Sequence, residues 1–346
     1  MTEKRVIDPT SGSAPSRWVK RENLSRTAVV ALGGNALITA GQRGTYEEQA
    51  HNAAVMAESV RELLDDGWRV VIVHGNGPQV GNLAIQQEKG RDEVPELPLF
   101  ALGAMTQGEL GSLIAIALYR VVAGRHQIAA LLSHAIVDLD DPAFARPTKP
   151  IGPFFTEAEA ADLARSRGWD VAEDAGRGWR RVVASPQPHG FVEIEAVRLL
   201  LDAGHVVVAG GGGGIPVGRR EGIWGGVDAV IDKDFAAAEL GQQLGAQALV
   251  LVTGVEAVML DFGKDTQRQL TEVDVAEIER HLADGQFPEG SMGPKMRAAA
   301  RFVQQCGGVA VVTTGRLAAA TLRSTDGADI RVGTRVVPVA VAGRIS

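Results

Sequence analysis

Short runs of aliphatic and β-branched residues that break straight into glycine-rich loops constrain this chain more than any other feature. The clearest case is Val71-Ile-Val-His-Gly-Asn-Gly-Pro-Gln-Val-Gly81, in which an apolar run stops at Gly75-Asn76-Gly77. Such a run reads as a strand covered on both faces, and the glycines let the following backbone turn sharply or approach another group closely. Taken alone, the loop is more simply a tight strand-to-helix connection than a binding site. It does not stand alone: Gly33-Gly34-Asn35 follows the run from Ala28 to Leu32, and Gly210-Gly-Gly-Gly-Gly214 follows Val206 to Ala209. An ordinary turn rarely needs five consecutive glycines, so their recurrence at strand ends points to a ligand.

Further apolar runs lie at Ile128 to Leu132, Ala248 to Val252 and Val309 to Thr313. Helical patterns at Tyr46 to Asp66, Pro98 to Arg125 and Pro294 to Gln305 fall among them. This alternation predicts an α/β fold with a mainly parallel sheet sandwiched by helices, and ligands in such sheets sit beyond the carboxyl ends of the strands. Between Asp138 and Glu193 the alternation lapses, which predicts a small inserted subdomain at about 139–190 lying over the site. At 346 residues the chain exceeds what one core usually organises. We expect a lobe spanning 27–225 that includes the insert, a second lobe spanning 226–346, and a flexible polar extension over 1–26.

A formal net charge of −7 provides no broad cationic field for nucleic acid or an anionic membrane. The longest apolar run, Leu113 to Tyr119, is far shorter than the roughly 20 residues of a membrane span, and the N-terminus has no apolar signal region. The single cysteine, Cys306, excludes an intrachain disulfide framework and fits a reducing cytoplasm; on a helix face it reads as packing rather than as a nucleophile. No membrane or nucleic-acid partner is expected.

Familiar catalytic signatures are missing from the sequence: the dinucleotide fingerprint, the P-loop, H-E-x-x-H and the G-x-S-x-G elbow. Asp261-Phe-Gly263 imitates a kinase magnesium motif without its companion loops. The seven histidines show no metal-ligand spacing, so no metal site is expected, and His74 at a strand end reads as a satisfied core residue.

Three lysines stand apart from solvated surface lysines by their rigid surroundings. They are Lys149 in Pro147-Thr-Lys-Pro-Ile-Gly-Pro153, Lys233 in Ile231-Asp-Lys-Asp234, and Lys295 in Gly290-Ser-Met-Gly-Pro-Lys295 at a helix start. Fixed ammonium groups, glycine loops presenting main-chain N–H groups and a helix N-terminus together make an anion-binding assembly. Phosphoryl transfer needs one. Two like charges about 4 Å apart repel by roughly 4 kcal/mol at an effective dielectric of about 20, and catalysis of this class is mainly positioning plus electrostatic stabilisation.

These stretches, together with Val30-Ala-Leu-Gly-Gly-Asn-Ala-Leu37, Gly103-Ala-Met-Thr-Gln-Gly108 and Gly211-Gly-Gly-Gly-Ile-Pro-Val217, resemble the carbamate kinases of the amino acid kinase superfamily, over about Ala28 to Ile330. The resemblance implies a three-layer α/β/α sandwich, a homodimer, and reversible transfer between MgATP and carbamate to give ADP and carbamoyl phosphate, often running toward ATP in arginine or related nitrogen catabolism. It implies that Gly33, Gly34, Asn35, Gly75, Asn76 and Gly77 hold carbamate and the transferring phosphoryl group. Lys149 would reach down from the insert, and Lys233 and Lys295 would neutralise the nucleotide phosphates. Asp232 and Asp234 would orient Lys233 or water on a nucleotide-borne Mg2+, with Asp234 counted among the catalytic residues. Gly212, Gly213, Gly254, Val255 and Met259 would line the nucleotide side. Transfer would be direct and in line, with no covalent enzyme intermediate.

Departures from the family pattern fall at Ser133-His134, Ala184, Gly254, Met259 and Gly327-Ala-Asp-Ile330. They leave two alternatives open: a kinase of another small carbamate or carboxylate, favoured if His134 reaches the site, and a catalytically weak nucleotide-binding relative.

Overall fold

The computed structural model describes residues 26–33, 37–39, 41–122, 124–174, 178–323 and 332–339. The expected extension over 1–26 falls outside them except for Arg26, as do Gly34, Asn35 and the stretch 327–330.

The apolar runs do form strands. Thr27–Leu32, Arg69–His74, Ala248–Val252 and Val309–Thr313 match the expected limits within a residue, while Ile128–Ala130 and Val206–Val208 are shorter. In the central eight-stranded sheet the order is 272–274, 334–337, 309–313, 248–252, 27–32, 69–74, 206–208, 128–130. The six strands from 309–313 across to 128–130 pair in parallel, and Thr334–Val337 runs antiparallel beside Val309–Thr313. The sheet crosses the expected 225/226 boundary without interruption, since Ala28 of the first strand pairs with Ala248 on one side and Val70 on the other.

Strand residues alternate between two cores. Val29, Ala31, Val71 and Val73 pack with Leu240 and Phe302, from the helices Lys233–Leu244 and Met292–Cys306. Ala28, Val30, Val70 and Ile72 pack with Leu63 and Leu118, from the helices Tyr46–Asp65 and Leu99–Val122. Successive strand side chains point to opposite faces, so two filled faces make the three layers. Helix ends follow local chemistry. Thr45 and Glu48 form a capping box at the start of Tyr46–Asp65, and Gly307 closes Met292–Cys306 in a left-handed conformation with φ 65°. Cys306, half-buried in the last turn of that helix, packs beside the first of these cores, and burial raises its thiol pKa. Leu99–Val122 is long and apolar enough to cross a membrane by length and composition, but Leu110, Ile114 and Leu118 lie in the core.

Within the stretch 139–190 expected as an insert, the antiparallel strands Lys149–Phe155, Trp179–Val183 and Val171–Glu173 form a separate small sheet, with the helix Glu157–Arg167 joining the first strand to the third. It is seated through a third, small core in which Ile151 and Val183 meet Val80, Leu99, Leu102 and Val230. The closest approach is backbone on backbone: a Cβ added at Gly81 would lie 2.5 Å from the Gly152 Cα. Arg167 and Glu88 form an ion pair across the same junction.

The five-glycine run serves close packing. A Cβ at Gly211 would lie 2.3 Å from His74 Nε2, one at Gly212 would lie 2.3 Å from Asn76 Nδ2, and one at Gly213 would lie 2.4 Å from the Ile231 carbonyl oxygen. His74 is fully buried against this run, its Nδ1 3.1 Å from the Gly75 carbonyl, and burial lowers its pKa to about 4.

Two outcomes follow from this packing. Gly81→Ala should unseat the insert, seen as faster amide exchange over residues 149–155 in the variant; unchanged protection would mean that the seat can absorb a methyl group. Because the folded His74 pKa lies below its unfolded value near 6.5, the unfolded chain binds more protons between those values. Stability therefore holds above about pH 6.5 and falls by roughly 3 kcal/mol in total as the pH drops toward 4. Denaturant titrations of the native protein and His74→Gln should show a shallower acid slope in the variant.

Candidate active site

At the carboxyl ends of the central strands, a cavity of about 290 Å³ opens between Gly33, Gly254 and the side chains of Lys149, Asp232, Lys233 and Lys295. Gly33 directly follows Thr27–Leu32, and Gly254 lies two residues beyond Ala248–Val252, the strand paired beside it.

The helix Lys233–Leu244 organises the charges. Asp232 caps it, with Oδ1 accepting from the Asp234 main-chain N–H at 2.9 Å, and the other oxygen, Oδ2, accepts from Lys149 Nζ at 2.6 Å. Asp234 Oδ1 accepts from Lys233 Nζ at 2.9 Å and Oδ2 from Lys295 Nζ at 2.8 Å. Every carboxylate oxygen of the pair thus has a donor. The three predicted lysines come together here from three places: the insert, the start of Lys233–Leu244 and the first turn of Met292–Cys306.

Burial by itself would raise the Asp232 carboxyl, but the Lys149 and Lys233 ammonium groups prevail and hold it well below the usual carboxylate range. Asp234 is likewise lowered against burial by Lys233 and Lys295. Lys233 is raised, since Asp234 and Asp232 outweigh its desolvation. Lys295 is lowered, by burial first and then by the neighbouring Lys233 charge. Three ammonium groups against two carboxylates leave the cluster one positive charge in excess, in a place where water is scarce.

The other predicted residues are distributed less simply. Gly75, Asn76 and Gly77 sit one strand over, at the end of Arg69–His74, with Asn76 buried at the N-terminus of the helix Gly77–Gly90. Gly212 and Gly213 lie against Asn76 and Ile231 and do not line the cavity; nor do Val255, which is exposed, and Met259, half-buried in Val258–Leu260. Thr253, Ser291 and Met292 do line it. Among the described residues no cluster of His, Cys, Asp and Glu with the makings of a metal site occurs.

His134 pairs with Glu193 through Nδ1 and Oε1 at 2.7 Å, at the foot of the helix Ile194–Asp202, and is not among the cavity's walls. Its neighbour Ser133 is fastened by a buried glutamine from the stretch Gly103 to Gly108, to which the sequence assigned no role: Gln107 accepts from Ser133 N at 2.8 Å and donates to the carbonyls of Ser133 at 3.1 Å and Gly211 at 2.8 Å. Thr106, next to it, accepts from Asn76 Nδ2 at 2.8 Å. The sequence marks the pair only as part of the stretch Gly103 to Gly108, with nothing to say what either residue bonds.

The sequence profile of the amino acid kinase family matches residues 26–314. A carbamate kinase of Thermococcus kodakarensis is 43% identical over 318 residues, covering 90% of this chain and 99% of that protein. A carbamate kinase of Trichomonas vaginalis is 40% identical over 316 residues, covering 90% and 99%. Among solved structures, carbamate kinase from Giardia lamblia bound to AMP-PNP superposes with a TM-score of 0.82 at 38% identity, covering 91% of this chain and 99% of that one. The chain belongs to the amino acid kinase family, among its carbamate kinases.

Proposed function

We propose that the cavity at Gly33 is where this chain transfers a phosphoryl group reversibly between ATP and carbamate, giving ADP and carbamoyl phosphate. The observation that carries the site is the convergence of Lys149, Lys233 and Lys295 on Asp232 and Asp234 at the strand ends. Relatives of nearly full length support the reaction.

In this reading residues 27–225 hold the acceptor and residues 226–346 the nucleotide. Lys233 and Lys295 lie against the nucleotide phosphates, and Lys149 moves from Asp232 to the transferring phosphoryl oxygens. Gly33, Gly34 and Asn35 with Gly75, Asn76 and Gly77 hold the acceptor and the transferring phosphoryl group. Gly254, Val255 and Met259 border the adenine. The excess positive charge offsets the repulsion between two anions brought to reacting distance. Magnesium carried on the nucleotide would neutralise phosphate charge; Asp232 and Asp234 fit a role at one remove from it, because ammonium and N–H donors already occupy their oxygens. A homodimer in the cytoplasm completes the reading, supported by Met105, Ile116 and Tyr119, exposed along one side of Leu99–Val122, and by the lone cysteine.

A coupled assay of ATP formation from ADP and carbamoyl phosphate tests the reaction; no ATP from the native protein would end it. Lys149→Ala, whose side chain bridges the insert to the body, should lower kcat/KM by about 10²–10³-fold with an unaltered far-ultraviolet spectrum, and native activity in that variant would remove Lys149 from the mechanism. Since the folded Lys295 pKa is below the usual lysine value, its charge is lost on the alkaline side before that of Lys233. Activity should therefore decline with rising pH, and Lys295→Arg should carry the decline to higher pH.

A further inference from the structure

Away from the lysine cluster, a second cavity of about 300 Å³ lies at the seat of the insert, a volume at the lower end of small-molecule sites. None of its walls belongs to the cavity at Gly33. Ala84 and Ile85 of the helix Gly77–Gly90 line it from the body, and Ile151, Pro153 and Phe155 of the strand Lys149–Phe155 line it from the insert, together with Trp169. These walls are apolar. The rings of Phe155 and Trp169 stand 6.4 Å apart, tilted by 53°, and the Arg181 guanidinium lies over the Trp169 face at 4.7 Å from the ring centre.

The charges around this cavity are unevenly matched. Arg180, on the opposite face of the strand Trp179–Val183, has its partners: it donates to the Gly152 carbonyl at 3.0 Å and to Asp174 at 3.1 Å. Arg181 makes no hydrogen bond or ion pair among the described residues, and burial lowers its pKa against the pull of Asp228, Glu96 and Asp170. Lys89, exposed on the same wall, has no ion pair among them either. Glu88, a carboxylate on these walls, already accepts from Arg167 at 2.8 Å. Glu96 and Asp228 line instead a neighbouring cavity of about 350 Å³, which shares Ala84, Trp169 and Arg181 with this one. An anion is opposed on that side and favoured on this one, where a guanidinium fork matches a carboxylate with two parallel N–H bonds and the apolar walls take whatever the carboxylate is attached to.

We propose that this cavity is a ligand site for a small monocarboxylate with an apolar body, its carboxylate held by Arg181 and Lys89 and its body lodged between the helix Gly77–Gly90 and the insert. Such an occupant touches the strand that begins with Lys149, so it braces the element that carries that ammonium to Asp232. Bound ligand stabilises the seated insert against local opening by mass action. The bracing bears on catalysis through the reading in which Lys149 acts in the transfer; the binding itself does not depend on that reading.

Phenylacetate is the probe, titrated calorimetrically into the full chain beside phenylacetamide, which has nearly the same shape without the charge. One phenylacetate should bind saturably per chain, with phenylacetamide at least about tenfold weaker. Arg181→Gln should weaken phenylacetate by a similar factor, Ala84→Phe should abolish its binding by filling the cavity, and Lys295→Ala should bind it as the native protein does. At ten times its dissociation constant phenylacetate should slow amide exchange over residues 149–155 about tenfold. The proposal is overturned by an absence of saturable binding to the native protein, by equal binding of acid and amide, by unchanged exchange in the bound protein, or by binding that survives Arg181→Gln and Ala84→Phe but falls in Lys295→Ala, which would place the acid among the active-site lysines. The comparison of acid with amide uses the native protein, so it decides even where a variant fails to fold. None of these measurements reads turnover, so a failed assay of ATP formation leaves them as they stand.

Discussion

Two carboxylates on one turn of helix decide where the positive charge of this protein stands. Without Asp232 and Asp234, three ammonium groups would have to be brought out of water and crowded together with nothing to offset their desolvation or mutual repulsion. With them, each lysine has a fixed partner from 2.6 to 2.9 Å away, and the group as a whole keeps one charge in excess. The helix supplies the geometry cheaply: Asp232 is simultaneously its cap and the partner of Lys149, so folding the first turn of Lys233–Leu244 already places one end of the site.

The insert depends on that charge and on a steric condition three residues further along the same strand. Lys149 begins the strand whose fourth residue, Gly152, lies against Gly81, so the ammonium is levered into place by a backbone contact that tolerates no side chain. Ile151 between them is buried in the small core that fastens the insert to the body. Charge pairing thus acts on the first residue of this strand and packing on its third and fourth.

Much of this was legible in the sequence. Short, β-branched runs such as Ala248 to Val252, bounded by glycine, suit a strand covered on both faces, and the lysines declared themselves by their proline and glycine frames. The glycine run 210–214 was legible as special but not for the right reason: at Gly211, Gly212 and Gly213 the absent Cβ makes room for His74, Asn76 and the Ile231 carbonyl, contacts between segments more than a hundred residues apart or across a turn that no local pattern records. Thr106 and Gln107 were legible only as letters of the stretch Gly103 to Gly108, without their contacts, and Gln49 not at all, for a related reason. A polar residue on a helix reads as solvated, and only the fold shows that each is buried and answers a main-chain carbonyl.

The order of the central sheet has a consequence for how the chain reaches its native state. The first strand lies in the middle of the sheet, with Arg69–His74 on one side and, on the other, Ala248–Val252, a neighbour whose residues come more than two hundred positions later in the chain. During synthesis Thr27–Leu32 therefore spends most of the time with one edge open, a template for misplaced pairing until the second half arrives. Closure of so long a loop is intrinsically slow, and the oldest strand is sealed only by one made late in the chain, Ala248–Val252.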